Sequence, residues 1–184
     1  MKPALIIIDL QNDYFPGGKM ELDGSPEASL QAAILLETFR TKGLPLVHVQ
    51  HVSNRPGAGL FLPDTEGVKI HATVAPRAGE TVLQKNFPNS FRGTHLLEHL
   101  RALGADQLII AGMMTHMCVD ATTRAAFDLG FTCNLAHDAC ATRALAFGDV
   151  RVPAAQVHAA FVAALAGLYA KVQGAAAIAA EIAS

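Results

Sequence analysis

Three polar side chains stand at the ends of apolar runs in this sequence, and their types are those of a nucleophile and its proton partners. Asp9 closes Leu5-Ile6-Ile7-Ile8, Lys85 follows Thr81-Val82-Leu83-Gln84, and Cys118 lies beyond the Gln107 to Ala111 run in Gly112-Met113-Met114-Thr115-His116-Met117-Cys118-Val119. A carboxylate placed directly after four apolar strand residues is costly to bury unpaired, so Asp9 requires a partner. Thr115 is suited to cap a helix, which would set Cys118 about one turn in, where the positive end of the helix dipole favours a thiolate. Lys85 nearby would lower the thiol pKa further, and Asp9 would take the thiol proton and return it to a leaving group. Backbone N–H groups around Met114 and Cys118 would then face a developing oxyanion. Together these parts suffice for acyl transfer to water. Singly, each has a plainer reading: a helical cysteine is more often a small buried hydrophobe, and a lone lysine a surface charge.

Other chemistries find less support. Cys133 falls inside an apolar run, and Cys140 follows it without an evident base. His48 and His51 raise the question of a metal site, with His71, His116 and His137 near other strand ends. On a strand, however, three-residue spacing sends the two side chains to opposite faces. No metal ligand set or cofactor is therefore expected. There is no G-x-G-x-x-G after a strand, no phosphate-binding P-loop and no G-x-S-x-G.

The elements that must position these residues alternate along the chain. Strand-like runs occur at Leu5 to Asp9, Leu46 to Gln50, Thr81 to Gln84, Gln107 to Ala111 and Thr132 to Ala136, with Tyr169 to Val172 a candidate sixth. Their continuous Val/Ile/Leu character predicts burial on both faces, hence an α/β fold with a parallel sheet between helical layers. Helices are expected at Pro26 to Lys42, capped by Ser25 and stopped by Gly43, and at Thr94 to Leu103. Further helices are expected from Thr115, stopping at Gly130, at Pro153 to Leu168, and at Gly174 to Ser184. In the fourth, Val157, Phe161, Leu165 and Leu168 mark the buried face. Ser53 to Gly79 carries too many Pro and Gly residues for a regular element and reads as an excursion over a functional face. In such a sheet, ligands bind beyond the carboxyl ends of the strands, where Asp9, Lys85 and Cys118 fall.

With 184 residues, one domain with a sizeable core is expected. Although 51% of the residues are hydrophobic, no apolar run reaches the length of a membrane span. The N-terminal apolar run is too short for a signal peptide, so it reads as a first strand. A formal net charge of −2 with no basic patch disfavours nucleic acid as a partner. Three cysteines without a C-x-x-C pair suit a reducing, cytoplasmic compartment.

The motifs Asp9-x-Gln11-Asn12-x-x-Phe15, Lys85-x-x-x-Asn89-Ser90-Phe91, Gly112-x-x-Thr115-x-x-Cys118-Val119 and Asp138-Ala139 resemble, in order and spacing, those of the isochorismatase-like cysteine hydrolases. The likeness extends over nearly the whole chain. It implies a Rossmann-like three-layer αβα sandwich around a six-stranded, mainly parallel sheet of order 3-2-1-4-5-6. It also implies a catalytic triad of Asp9, Lys85 and Cys118, an oxyanion hole from the Met114 and Cys118 amides beside a cis Met113–Met114 peptide, and assembly as a homodimer or larger homo-oligomer. Two departures narrow the expected activity. The metal-binding Asp-x-His that follows the second strand in nicotinamidases is replaced here by Gln50-His51-Val52-Ser53. Members that cleave the vinyl ether of isochorismate lack the cysteine, so its presence favours hydrolysis of an amide or related C–N bond in a small molecule. Gln11, Phe15, Phe61, Phe91 and His116, together with Met114, are the candidate substrate contacts. The rival readings are a metal-assisted amidase and a non-catalytic binding or oligomerisation domain of the same fold.

Overall fold

The first strand shows why this chain builds a two-sided sheet. Ala4, Ile6 and Ile8 point into one apolar layer, while Leu5 and Ile7 point into the other, as the period of two requires. All five are buried, and each fully buried Leu or Ile contributes about 1.5–3 kcal/mol relative to exposure. In the computed structural model, which describes residues 1–184, the strands in chain order are β1 (Pro3–Ile8), β2 (Leu46–His51), β3 (Thr81–Lys85), β4 (Gln107–Met113), β5 (Thr132–Ala141), β6 (Leu145–Phe147), β7 (Val150–Val152) and β8 (Lys171–Gln173). The helices are α1 (Ser25–Lys42), α2 (Leu96–Ala102), α3 (Asp120–Asp128), α4 (Ala154–Ala166) and α5 (Ala175–Ala183).

The main sheet runs β3-β2-β1-β4-β5-β8, with every neighbouring pair parallel. This is the expected order, except that the sixth sheet strand is the eighth in the chain. The antiparallel hairpin β6–β7 intervenes; its strands are three residues long, and Phe147 is 90% exposed, so no buried alternation announces it. The last sheet strand also begins two residues later than expected, at Lys171. Residues of α1 and α5 pack in one layer, those of α2 and α4 in the other. No helix is long and apolar enough to cross a membrane.

The helix boundaries show local chemistry overriding pattern. In α1 the capping position belongs to Gly24, and Ser25 is the first helical residue. Gly43 ends that helix in the left-handed region, its N–H reaching the Arg40 and Phe39 carbonyls. Helix α2 starts two residues later than expected, because the Thr94 hydroxyl donates to the Ser90 carbonyl at 2.6 Å and accepts from the Leu96 N–H at 3.3 Å. In α4, Val157 and Leu165 are buried, Phe161 is only half-buried, and Leu168 lies past the helix end at 66% exposure.

One backbone contact decides how β1 and β4 meet. Gly112 has φ +134°, pairs with Ile8, and a Cβ there would stand 2.0 Å from the Ile8 carbonyl oxygen. Only glycine accommodates both the angle and the approach. Gly112→Ala is expected to destabilise the fold by about 3 kcal/mol or more, or to prevent soluble folding. Urea unfolding checks this; an unchanged midpoint would contradict the close approach.

Candidate active site

Three distant segments deliver the three expected residues to one place. Asp9 is the residue after β1, with φ +52°, and its N–H is held by the Val49 carbonyl at 2.9 Å. Lys85 is the last residue of β3 and pairs in register with His51 at the end of β2. Cys118 sits in a π-helical turn, Thr115–Val119, between β4 and α3. Right-handed parallel connections bring these carboxyl ends to one edge of the sheet.

The Lys85 ammonium joins them. Its Nζ donates to Asp9 Oδ2 at 2.6 Å, to His51 Nδ1 at 3.1 Å and to Cys118 Sγ at 3.3 Å. An ammonium has three N–H donors, so all three are engaged. The side chains of Asp9 and Lys85 are both 0% exposed. Burial pushes the ammonium down, but Asp9 and Cys118 outweigh it and hold Lys85 above its ordinary pKa. Burial, reinforced by the Lys85 charge, lowers the pKa of His51. A neutral imidazole can accept the Lys85 proton at Nδ1.

The resting charge of Cys118 differs from expectation. Burial and the adjacent Asp9 carboxylate raise the thiol pKa, and Lys85 offsets them only in part. The Thr115 hydroxyl does not cap the helix; it is engaged with the Ala141 carbonyl and His158 Nδ1. Charge in the resting site therefore resides on the Asp9–Lys85 pair, with the thiol protonated. Asp9 Oδ1 is buried without a hydrogen-bond partner, which leaves an acceptor for that proton.

The Met113–Met114 peptide is cis, as the family resemblance implied. The Met114 carbonyl accepts the N–H groups of Met117 and Val119 at 3.0 and 3.2 Å, which winds the turn carrying Cys118. Met114 and Cys118 both face a cavity of about 640 Å³, within the usual range for small-molecule sites. Its wall also includes Tyr14, Phe61, Phe87, Met117 and Arg143.

The Ser53 to Gly79 excursion forms one side of this cavity through Ser53, Arg55 and Gly57 to Phe61. Asp13, buried beneath it, is the clamp. Its Oδ2 accepts the Phe61 N–H at 2.8 Å, and its own N–H reaches the Gly67 carbonyl at 3.0 Å. A Cβ at Gly67 would lie 2.1 Å from Asp13 Oδ1, so the clamp needs glycine there.

Of the six residues expected to touch substrate, Phe61 and Met114 line the cavity and the other four lie elsewhere. Gln11 is fully buried and gives its amide to the backbone, donating to the Val68 and His51 carbonyls at 2.7 and 2.9 Å and accepting from the His51 N–H at 2.7 Å. Phe15 stacks on His71 at 3.6 Å. Phe91 packs near Phe131 on the opposite side of the sheet from the Phe15 and Phe61 cluster. His116 is hydrogen-bonded to Thr142 and edges Phe161. Position within a motif did not distinguish a brace from a contact.

His51 and Arg143 escaped the reading for identifiable reasons. His48 and His51 do face opposite ways: His48 Nε2 meets Glu80 at 3.1 Å, while His51 meets Lys85. The second of these faces is the site. Arg143 follows β5, whose end was expected at Ala136 but lies at Ala141; with the correct end, the same rule that picked Asp9 and Cys118 selects it.

A carboxylate oxygen of Asp9, a ring nitrogen of His51 and Cys118 Sγ lie within 4.8 Å of one another, a spacing at which three such donors can hold a metal ion. The residues do not fit one, because the Lys85 ammonium already occupies the space among these donors and bonds to all three. Gln50, in the stretch that replaces the nicotinamidase ligands, uses its amide to join the Val68 carbonyl and Gln84.

The isochorismatase domain profile matches residues 3–176. The chain is 50% identical to YddQ of Bacillus subtilis, an uncharacterised isochorismatase family protein, over 94% of this chain and 96% of that one. A crystal structure from Oleispira antarctica, described as an isochorismatase hydrolase, superposes with a TM-score of 0.94 at 50% identity, covering 97% of this chain and 96% of that one. Maleamate amidohydrolase of Pseudomonas putida is 34% identical over 71% of this chain and 68% of its own. The chain belongs to the isochorismatase family of hydrolases.

Three outcomes follow. Asp9→Asn removes the charge that raises the thiol pKa while Lys85 remains, so iodoacetamide labelling of Cys118 should shift to lower pH by about 1 unit or more; the pH–rate profile measures it, and an upward shift would contradict the charge assignment. Lys85→Met strands a buried carboxylate and should cost about 3–5 kcal/mol in urea unfolding, largely recovered in the Asp9→Asn, Lys85→Met double variant. Asp13→Ala should release the excursion, seen as lost hydrogen-exchange protection of the Phe61 amide, with thermal melting confirming a folded sheet.

Proposed function

We propose that this protein hydrolyses an amide or related C–N bond of a small molecule, with Cys118 as nucleophile. The observation that carries this reading is the buried Lys85 ammonium shared by Asp9, His51 and Cys118 at the cavity wall. Such an arrangement holds a base and a thiol on one ammonium by direct hydrogen bonds. Support also comes from the amidohydrolase among its relatives.

The reaction begins when the substrate carbonyl takes its place beside Sγ. Asp9 accepts the thiol proton as Sγ attacks the carbonyl carbon, so the Lys85 ammonium faces a developing thiolate as well as a carboxylate. The carbonyl oxygen becomes an oxyanion, with the Met114 and Cys118 N–H groups as its donors. Asp9 then returns its proton to the nitrogen, the C–N bond breaks, and ammonia or an amine leaves a thioester on Cys118. Water attacks that thioester with Asp9 as base, and the acid departs as the thiol is re-formed. A carboxylate that both takes and gives a proton must keep an unblocked oxygen, and Asp9 Oδ1 has no competing bond.

Cys118→Ala is expected to lower kcat/KM for amide hydrolysis by about 10⁴-fold, read as ammonia release. Asp9→Asn should stall turnover while leaving Cys118 open to alkylation. Intact-mass spectrometry of the wild type during turnover should show the acyl adduct on Cys118. Amide hydrolysis retained in Cys118→Ala would rule the mechanism out.

A further inference from the structure

One group bonded to Lys85 has no step of its own in this chemistry, the imidazole of His51. It ends β2, and Gln11 holds its backbone from both sides, accepting the His51 N–H at 2.7 Å and donating to the His51 carbonyl at 2.9 Å. The half-buried ring stands in the cavity wall, tilted against Phe61 with 5.8 Å between ring centres. Its Nδ1 meets Lys85 Nζ at 3.1 Å. The other ring nitrogen, Nε2, has no hydrogen bond within the chain, and it is not sealed in protein as the unpaired His48 Nδ1 is.

The Lys85 contact fixes where the imidazole keeps its proton. An ammonium is only a donor, so Nδ1 accepts in that bond and the single proton of the neutral ring lies on Nε2. Protonating Nδ1 as well would set two cations 3.1 Å apart, and burial and Lys85 both hold the His51 pKa below its ordinary value. His51 therefore presents an N–H donor to the cavity, not a base. The complementary need lies close by, because Asp9 Oδ1 is an acceptor without a partner. A carboxylate oxygen of Asp9, a ring nitrogen of His51 and Cys118 Sγ are within 4.8 Å of one another. A donor and an acceptor at that range are bridged by one water, with hydrogen bonds of about 2.8 Å to each.

We propose, on the basis of the amidase reading above, that His51 positions the water that hydrolyses the thioester, its Nε2–H holding the water oxygen while Asp9 Oδ1 accepts one of the water protons. Once Cys118 carries the acyl group, it has no thiol proton to offer Oδ1, and the water takes that place. One lone pair of the water oxygen accepts from Nε2–H, and the other is left to attack the acyl carbon. As the O–C bond forms, the proton passes to Asp9. The C–S bond then breaks, the carboxylic acid departs, and the sulfur takes the proton back from Asp9. His51 keeps its Nε2 proton throughout. It is a positioning residue for this second half of the reaction, whereas attack of Sγ on the substrate carbonyl makes no use of Nε2.

The full-length protein is tested with p-nitrophenyl acetate, whose small acyl group makes little demand on the rest of the cavity. Release of p-nitrophenolate reads acylation. Decay of the acetyl adduct on Cys118, followed by intact-mass spectrometry after the ester is removed, reads deacylation. His51→Asn keeps an amide oxygen near the place of Nδ1 for Lys85 but puts no N–H at the place of Nε2. Acylation should stay within about 3-fold of the wild type, while deacylation slows about 100-fold. His51→Gln, whose amide N–H reaches the place of Nε2, should recover most of that loss. Hydroxylamine attacks a thioester without being held by the imidazole, so it should clear the acetyl group from wild type and His51→Asn at similar rates.

The outcomes separate the two readings. Equal deacylation in wild type and folded His51→Asn overturns the water assignment and leaves the amidase reading standing. So does an equal fall in acylation and deacylation, which would mean that His51 serves the site only through Lys85, or a matching loss with hydroxylamine. A wild type that takes no acetyl group on Cys118 overturns the amidase reading and the proposal together. Should His51→Asn fail to fold in a thermal melt, His51→Phe, which keeps the ring's packing against Phe61, is read in its place.

Discussion

A single ammonium group, sealed from water, is the constraint on which the rest of this structure depends. Lys85 Nζ is bonded at once to a carboxylate, an imidazole and a thiol, and removing an ammonium and a carboxylate from water costs several kcal/mol per ion before their attraction repays it. Such a pair is tolerable only when the geometry is fixed by something rigid. Here the rigidity comes from the sheet: Asp9 and Lys85 end parallel strands, and β2 lies between those strands with His51 in register beside Lys85. Shifting any one strand by a residue would turn its terminal side chain to the other face.

The sheet in turn depends on being covered on both sides. Its central strand β1 carries no polar side chain, and the alternating residues of β1 and β4 supply both cores. The backbone approach at Gly112 lets β4 run flush against the end of β1 before the cis Met113–Met114 peptide redirects the chain into the turn that carries Cys118. Stability and chemistry therefore share residues at this edge. Helix α1 is anchored by a separate ion pair, Arg40 with Glu80, which also meets the buried His48; Arg40 holds the Glu80 carboxyl down at about 2.

Over the site, the long excursion is ordered by polar groups rather than by secondary structure. Gln11 binds the backbone of β2 and of Val68 together, and Asp13 holds Phe61 in the cavity wall. Gln11, a polar residue of the first motif, and Asp13 beside it work behind the wall. Specific positioning of a loop without helix or sheet ladders requires that its backbone N–H and C=O groups find such side-chain partners.

The sequence by itself determined the α/β class, the parallel sheet and the grouping of Asp9, Lys85 and Cys118, because each depends on local pattern combined with a topological rule. Continuous apolar runs require two covered faces, and ligand chemistry in such sheets gathers at the strand ends. The family motifs carried the strand order and the cis peptide. What only the tertiary structure decided were properties that depend on neighbours remote in the chain. The resting proton of Cys118 follows from its burial and from Asp9 outweighing Lys85, a balance of distances that no spacing encodes. Gln11, Phe15, Phe91 and His116 were drawn away from the cavity by partners in other segments, whereas His51 was brought into it by its register with Lys85. The unpaired Arg143 could be recognised only once β5 was seen to continue to Ala141, since a side chain's lack of partners is a fact about the whole fold.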